Sequence, residues 1–203
     1  MKRILDNSLL LTLHLTASTV LAVFLWYCFV GEDYVRYYSL TLVLSGKWAI
    51  RYLLLCLLMT PLYTLFGWRQ AIKLRKPAGL WAFTFAAFHF SIYLTKVKLF
   101  WFDRPIPGID TALGLFSFCI LTTLALTSMR DSMKRLGKWW KPLHRLVYVA
   151  GVLAIVHAIL EAPNSRVTSY DPDMLTEAII YLVILCILLA ARLPQLRSVL
   201  HRN

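Results

Sequence analysis

The chain has 203 residues, of which 59% are hydrophobic and 16% charged, and its formal net charge is +12. A soluble domain of this size carries about 45–50% apolar residues. A nucleic-acid-binding globule would gather its cations on one face, whereas here the basic residues fall between long apolar blocks, so nucleic acid is excluded as a partner and the charge is read as membrane topology. No Ser/Gly linker, low-complexity tract or internal repeat divides the blocks, and residues 1–203 read as one domain.

A bilayer core of about 30 Å takes about 20 apolar residues in a helix, and six blocks approach that length. The first, Ser8–Val30, follows a Met-Lys-Arg start that looks like the head of a signal peptide. Its apolar stretch is too long for one and ends in the bulky run Trp26-Tyr27-Cys28-Phe29, so it is expected to stay as a span. It carries His14 in its inner half. The second is Trp48–Gly67. The third, Ala78–Leu99, holds His89 within Ala86-Ala87-Phe88-His89-Phe90. The fourth is Ala112–Met129. The fifth, Leu143–Leu160, opens on His144 and carries His157 near its far end. The sixth is Leu175–Ala191. Period-2 alternation is missing, which argues against a β-barrel. The expectation is an all-α integral membrane protein, a six-transmembrane-helix bundle.

The charges give the bundle a direction. With the N-terminus, the 68–77 and 130–145 connections and the C-terminus on one side, that side holds 15 of the 22 Lys and Arg. Eight of the ten acids fall on the other side. The positive-inside rule then puts both termini in the cytoplasm, which an even span count requires. Trp48, Trp68, Trp101, Trp139 and Trp140 flank spans as an aromatic belt would. Arg51, Lys96 and Lys98 are expected to snorkel from outer ends, and Arg130–Lys141 to lie along the inner headgroups. Cys28, Cys56, Cys119 and Cys186 form no CxxC or CxxCH motif and are expected as small core residues.

The histidines carry the chemistry. An ionisable residue inside a span is costly and marks function by default. Neutral imidazole is a good haem ligand, and its second nitrogen can bond a backbone carbonyl. Two histidines on facing helices can fill both axial positions of one haem, which then carries electrons and leaves no site for oxygen. His89 lies 11 residues into the third span, about 16 Å up, and His157 lies about 20 Å above His144. His89 and His157 therefore match in depth, in the outer half. His144 is too low to share their haem and sits roughly 140° around the helix from His157. His14, about 8 Å into the first span, is at a suitable depth to neighbour His144. Two other readings stay open: interhelical hydrogen-bond glue, and a proton relay in a small proton-coupled transporter, although the paired broken helices of many transporters are missing.

The segment Leu136-Gly137-Lys138-x-Trp140-x-x-Leu143-His144-x-x-Val147-Tyr148, followed by His157, closely resembles the MsrQ (YedZ) family. So do Gly79-Leu80-Trp81 leading to His89, Ser45-Gly46 through Met59-Thr60-Pro61, Arg104-Pro105 and Leu126-Thr127-Ser128. The likeness covers nearly the whole chain. That family belongs to the ferric-reductase-like transmembrane cytochromes, related to NADPH oxidases. The resemblance implies a multi-pass subunit of the bacterial inner membrane that binds haem b, one or two per chain, and is associated with FMN. It implies electrons taken from the quinone pool or a cytosolic flavin reductase. They would pass to a periplasmic molybdenum enzyme, MsrP, that reduces methionine sulfoxide in oxidised proteins. The family's haem histidines carry over to His89, His144 and His157, and His14 matches a histidine of the family's first span.

The sequence also departs from the family. The run Asp103-Arg104-Pro105-Ile106-Pro107-Gly108 differs from a shorter Arg-Pro-Tyr run, and Leu160 replaces an aromatic. Oxidase relatives carry two histidines on the third span, where this chain has His89 alone. With no GxGxxG and no P-loop, the electron donor is expected to be a separate molecule, and no independent substrate site is evident. The basic connections 68–77 and 130–145 suit an acidic or phosphate-bearing donor, or, more simply, the anionic headgroups of membrane lipids.

Overall fold

The computed structural model describes the backbone of residues 2–30, 34–100, 108–163 and 172–192, with side chains from 7 to 29, 39 to 95, 108 to 163 and 172 to 192. Eight α-helices fill these stretches: α1 (Lys2–Val30), α2 (Tyr34–Phe66), α3 (Arg69–Phe100), α4 (Ile109–Leu126), α5 (Arg130–Leu136), α6 (Trp140–Arg145), α7 (Val147–Glu161) and α8 (Met174–Ala190). A single 3₁₀ turn, Gly137–Trp139, joins α5 to α6. There is no strand among the described residues. Helices alone satisfy every backbone group from within, which lipid requires.

Five helical runs are long and apolar enough to cross a membrane: Asn7–Phe29, Ser39–Phe66, Arg69–Thr95, Ile109–Leu126 and Arg130–Glu161. The last is the near-continuous run that holds α5, α6 and α7. The sixth expected span, α8, has 17 residues and falls just short of the length of a full crossing. The helices also begin earlier than the apolar blocks. α2 starts at Tyr34, not near Trp48, and α3 starts at Arg69 and passes through Pro77. At about 50 Å each, α2 and α3 are longer than the bilayer core.

Two antiparallel pairs form the body, α2 with α3 and α4 with α7; α1 lies against α2 and α3, and α8 against α7 and α2. Small residues let the backbones close up: Ala17, Ala71, Ala78, Ala82 and Ala150 are all fully buried. The Ser117 hydroxyl of α4 donates to Ala150 O of α7 at 2.9 Å. Gly67, at φ +67°, turns the chain from α2 into α3, a backbone conformation that side chains resist. The Gly67 and Trp68 amides close the end of α2 on Tyr63 O and Leu62 O.

Proline within a helix frees the carbonyl four residues back. For Pro61 of α2 that carbonyl is Leu57 O, and the Arg192 guanidinium, just past α8, donates to it. The same guanidinium lies 4.7 Å from the ring centroid of Tyr148 in α7. One arginine thus ties α2, α7 and the end of α8.

Three expectations from the sequence are corrected here. Arg51 does not snorkel. It bonds Glu177 Oε2 at 3.1 Å and Tyr181 Oη at 2.8 Å, while Lys47 reaches Glu177 Oε1 at 3.0 Å. Lys47 is almost fully buried, and the partner on α8 is what makes its charge tolerable. Trp48 is no belt residue, since it packs on Tyr52 and Phe85 within the bundle. Of the four cysteines only Cys56 is buried; Cys119 and Cys186 are exposed on the bundle surface. The side chains of Lys96 and Lys98, and Trp101 altogether, lie outside the described residues. α5 buries none of its side chains, and Trp139 beside it is exposed.

Candidate functional site

The two central pairs face each other through their histidines. His89 comes from α3 and His157 from α7, and their ring centroids stand 6.3 Å apart with planes at 76°. Both rings are half-buried. Each is oriented by the helix behind it. His89 Nδ1 lies 2.8 Å from Leu42 O of α2, and His157 Nδ1 lies 2.8 Å from Asp110 O of α4. A carbonyl oxygen can only accept, so each Nδ1 carries the proton and each Nε2 keeps its lone pair. In their neutral form the two imidazoles keep Nε2 uncommitted to those carbonyls, and the rings stand close together between helices.

The geometry fits a shared metal centre. Metal–imidazole bonds of about 2 Å place the centroids of two trans imidazoles about 6 Å apart. Histidine ligands also characteristically give their other N–H to a carbonyl, which fixes ring and tautomer. Among the described residues no group of three or more His, Cys, Asp and Glu comes together, so a bare ion bound by side chains alone is not what this pair suits. Two axial histidines suit an ion whose other ligands are its own macrocycle.

Glycines line the backs of the rings. A Cβ at Gly46 would stand 3.1 Å from His89 Cε1 and Nδ1, and one at Gly114 would stand 3.1 Å from Cγ, Cδ2 and Cε1 of His157. One turn beyond Gly114, Phe118 packs on Phe83 and Phe90 of α3, centroids 6.1 Å and 4.8 Å away, and closes the α3–α4 seam.

The other two histidines stand elsewhere. His144 Nε2 lies 3.2 Å from the Thr127 hydroxyl, and that hydroxyl donates its own hydrogen to Thr123 O at 2.7 Å. His144 therefore carries its proton on Nε2, the tautomer opposite to that of His89 and His157. Its ring stacks on Trp140 at 4.2 Å, and Trp140 Nε1 donates to Thr127 O. His14 is exposed, and its Nδ1 accepts from Trp81 Nε1 at 2.9 Å. The structure thus gives His144 and His14 separate neighbours, where the matched depths had suggested a contact between them. Sequence reasoning missed Leu42 and Asp110, which act through backbone oxygen and leave no side-chain signal. It also missed Gly46 and Gly114, whose role shows only once the helices are paired.

Comparison with known proteins adds the following. Residues 45–160 match the family described as "Ferric reductase like transmembrane component", a stretch that holds His89, His144 and His157 and leaves out His14. A protein of Xanthomonas euvesicatoria pv. vesicatoria named "Protein-methionine-sulfoxide reductase heme-binding subunit MsrQ" is 38% identical over 117 residues, 56% of this chain and 54% of its own length. Proteins of the same name from Xanthomonas campestris pv. campestris and Bordetella pertussis are 37% identical over 117 residues and 35% identical over 123 residues, covering 54% and 57% of their lengths. The chain spans about half the length of the curated relatives it matches. No solved structure matches it.

Proposed function

We propose a function from one premise: the chain belongs to the ferric reductase like transmembrane component family. It acts as the haem-binding membrane subunit of a methionine-sulfoxide reductase system, in keeping with the name its relatives carry. His89 and His157 would together hold one haem b. The observation that carries this reading is the 6.3 Å pairing of two rings whose Nδ1 atoms both rest on carbonyls. Haem, when bound, supplies reversible one-electron chemistry at an iron with no open position for oxygen.

The rest falls to the chain's own residues. Leu42 O and Asp110 O hold the two Nδ1 protons, which fixes the tautomer and orientation of each ring and leaves Nε2 as the nitrogen that would ligate. We assign residues 1–203 to one domain of six spans, α8 the sixth, with both termini cytoplasmic in the bacterial inner membrane. Electrons enter from the quinone pool or a cytosolic flavin reductase and leave to a periplasmic molybdenum-containing MsrP-like reductase. FMN belongs to the proposal through the family resemblance alone. His144, with Trp140 and Thr127, lies on the donor side and is assigned to electron entry or a second cofactor there, not to the His89–His157 pair. His14 with Trp81 is the remaining candidate contact.

The test is an absorption spectrum of the protein purified from haem-replete cells. The expected result is a Soret band with sharp α bands on reduction, at one haem for the outer pair. A well-folded, colourless preparation sinks the proposal.

A further inference from the structure

The two histidines are seated by one construction used twice. In each pair, the helix behind the ring offers a carbonyl to Nδ1 and, four residues later, a glycine to the ring itself. The carbonyl and the histidine are 47 residues apart in both cases. A shift of 68 residues carries Leu42 to Asp110, Gly46 to Gly114 and His89 to His157. The same shift carries Leu53 to Leu121 and Ala82 to Ala150, all four buried. The sequence had shown no internal repeat because few of the other positions keep their residue type under this shift. The structure shows that the α2–α3 and α4–α7 pairs repeat at the site.

We infer that Gly46 and Gly114 are positioning residues that set the planes of the His89 and His157 rings; this rests on the axial-ligand reading given above. An imidazole ligated through Nε2 keeps one soft motion, rotation of its plane about an axis near the Nε2–metal line. The carbonyl on Nδ1 restrains that rotation at one point. A surface against the ring supplies the second. Here that surface is bare helix backbone, approaching so closely that a Cβ would stand 3.1 Å from ring atoms on both sides. No side chain of α2 or α4 can take that place without turning the ring or pushing the helix back. The outcome is a pair of planes at 76°.

The angle has a spectroscopic signature. Near-perpendicular axial planes leave the two π-type d orbitals of low-spin ferric iron close in energy, and the EPR signal is then strongly anisotropic. Near-parallel planes split those orbitals and give an ordinary rhombic signal.

The experiment takes the full chain with its haem and records low-temperature EPR and a redox titration for wild type, G46A, G114A and G79A. Gly79 is the packing control, because a Cβ there would meet Cys56 Sγ at 3.3 Å and no histidine. The expected wild-type signal is strongly anisotropic. G46A and G114A should each move the signal and the midpoint potential, and weaken haem retention roughly 10-fold, as loss of ligand support does. G79A should keep the wild-type signal. A rhombic wild-type spectrum, or wild-type spectra in both G46A and G114A, overturns the inference. If neither variant yields folded protein, the wild-type signal alone decides. A folded wild-type protein that carries no haem overturns the axial-ligand reading itself, which is a different result from haem bound with the wrong symmetry.

Discussion

At the scale of single residues, the site separates histidines that look alike in sequence. His89 and His157 give Nδ1 to backbone carbonyls, while His144 spends its Nε2 proton on Thr127. Replacing His89 or His157 with Ala should therefore abolish the haem held between them. H144A should leave that haem's spectrum in place. A haem-to-protein ratio for each variant checks this, and loss of the same haem in H144A would refute the assignment. The ionic group on α2 and α8 makes a second residue-level claim. Glu177 answers both Lys47 and Arg51, so E177A removes the acid that the two cations share. Glu177 and Arg51 keep about a third of their side-chain surface exposed, which puts the cost at about 2 kcal/mol, below the 3–5 kcal/mol of a fully buried pair. Thermal unfolding in detergent should show it, with E177Q milder than E177A.

At the scale of elements, α2 is the part the sequence described least well. Its apolar block begins after Lys47, and a lysine before a tryptophan reads as a membrane boundary. The helix instead runs through that point, because Lys47 is compensated by a residue 130 positions away. Pattern along the chain carries no record of such a partner. Pro61 raises the same issue from the other direction. A proline leaves Leu57 O without a helical donor, and the substitute arrives from Arg192 on another element. This predicts a coupling. R192A should cost roughly 1–3 kcal/mol by stranding a buried carbonyl, and much of that cost should vanish in a P61A background, where residue 61 supplies its own N–H. A double-mutant cycle of melting temperatures measures it; fully additive effects would contradict the account. What was legible were five of the six expected spans, their order and the matched depth of His89 and His157, since rise per residue needs no partner. What was not legible were the glycine and carbonyl seats, which exist only after α2 meets α3 and α4 meets α7.

At the scale of the whole molecule, the proposed topology is checked by C-terminal reporter fusions. A cytoplasmic fluorescent reporter should light up and a periplasmic phosphatase reporter should stay silent; the reverse would overturn the proposed orientation. The two pairs also differ in reach. α3 continues 11 residues past His89, about 16 Å, while α7 ends four residues past His157, about 6 Å. His157 thus sits about two-thirds of the way along α7 from the end that is cytoplasmic in the proposed topology. In electrical terms the proposed topology puts the histidine pair well out along the membrane field. An electron arriving from the cytoplasm moves toward the positive side and crosses most of that field before it reaches the pair. A full crossing corresponds to about 2.3 kcal/mol per 100 mV, so this partial one gains roughly 1.5 kcal/mol per 100 mV. Reduction of the haem from inside should therefore be favoured in an energised membrane and weaken when an uncoupler collapses the potential. The step left to the periplasmic acceptor would respond to voltage much less.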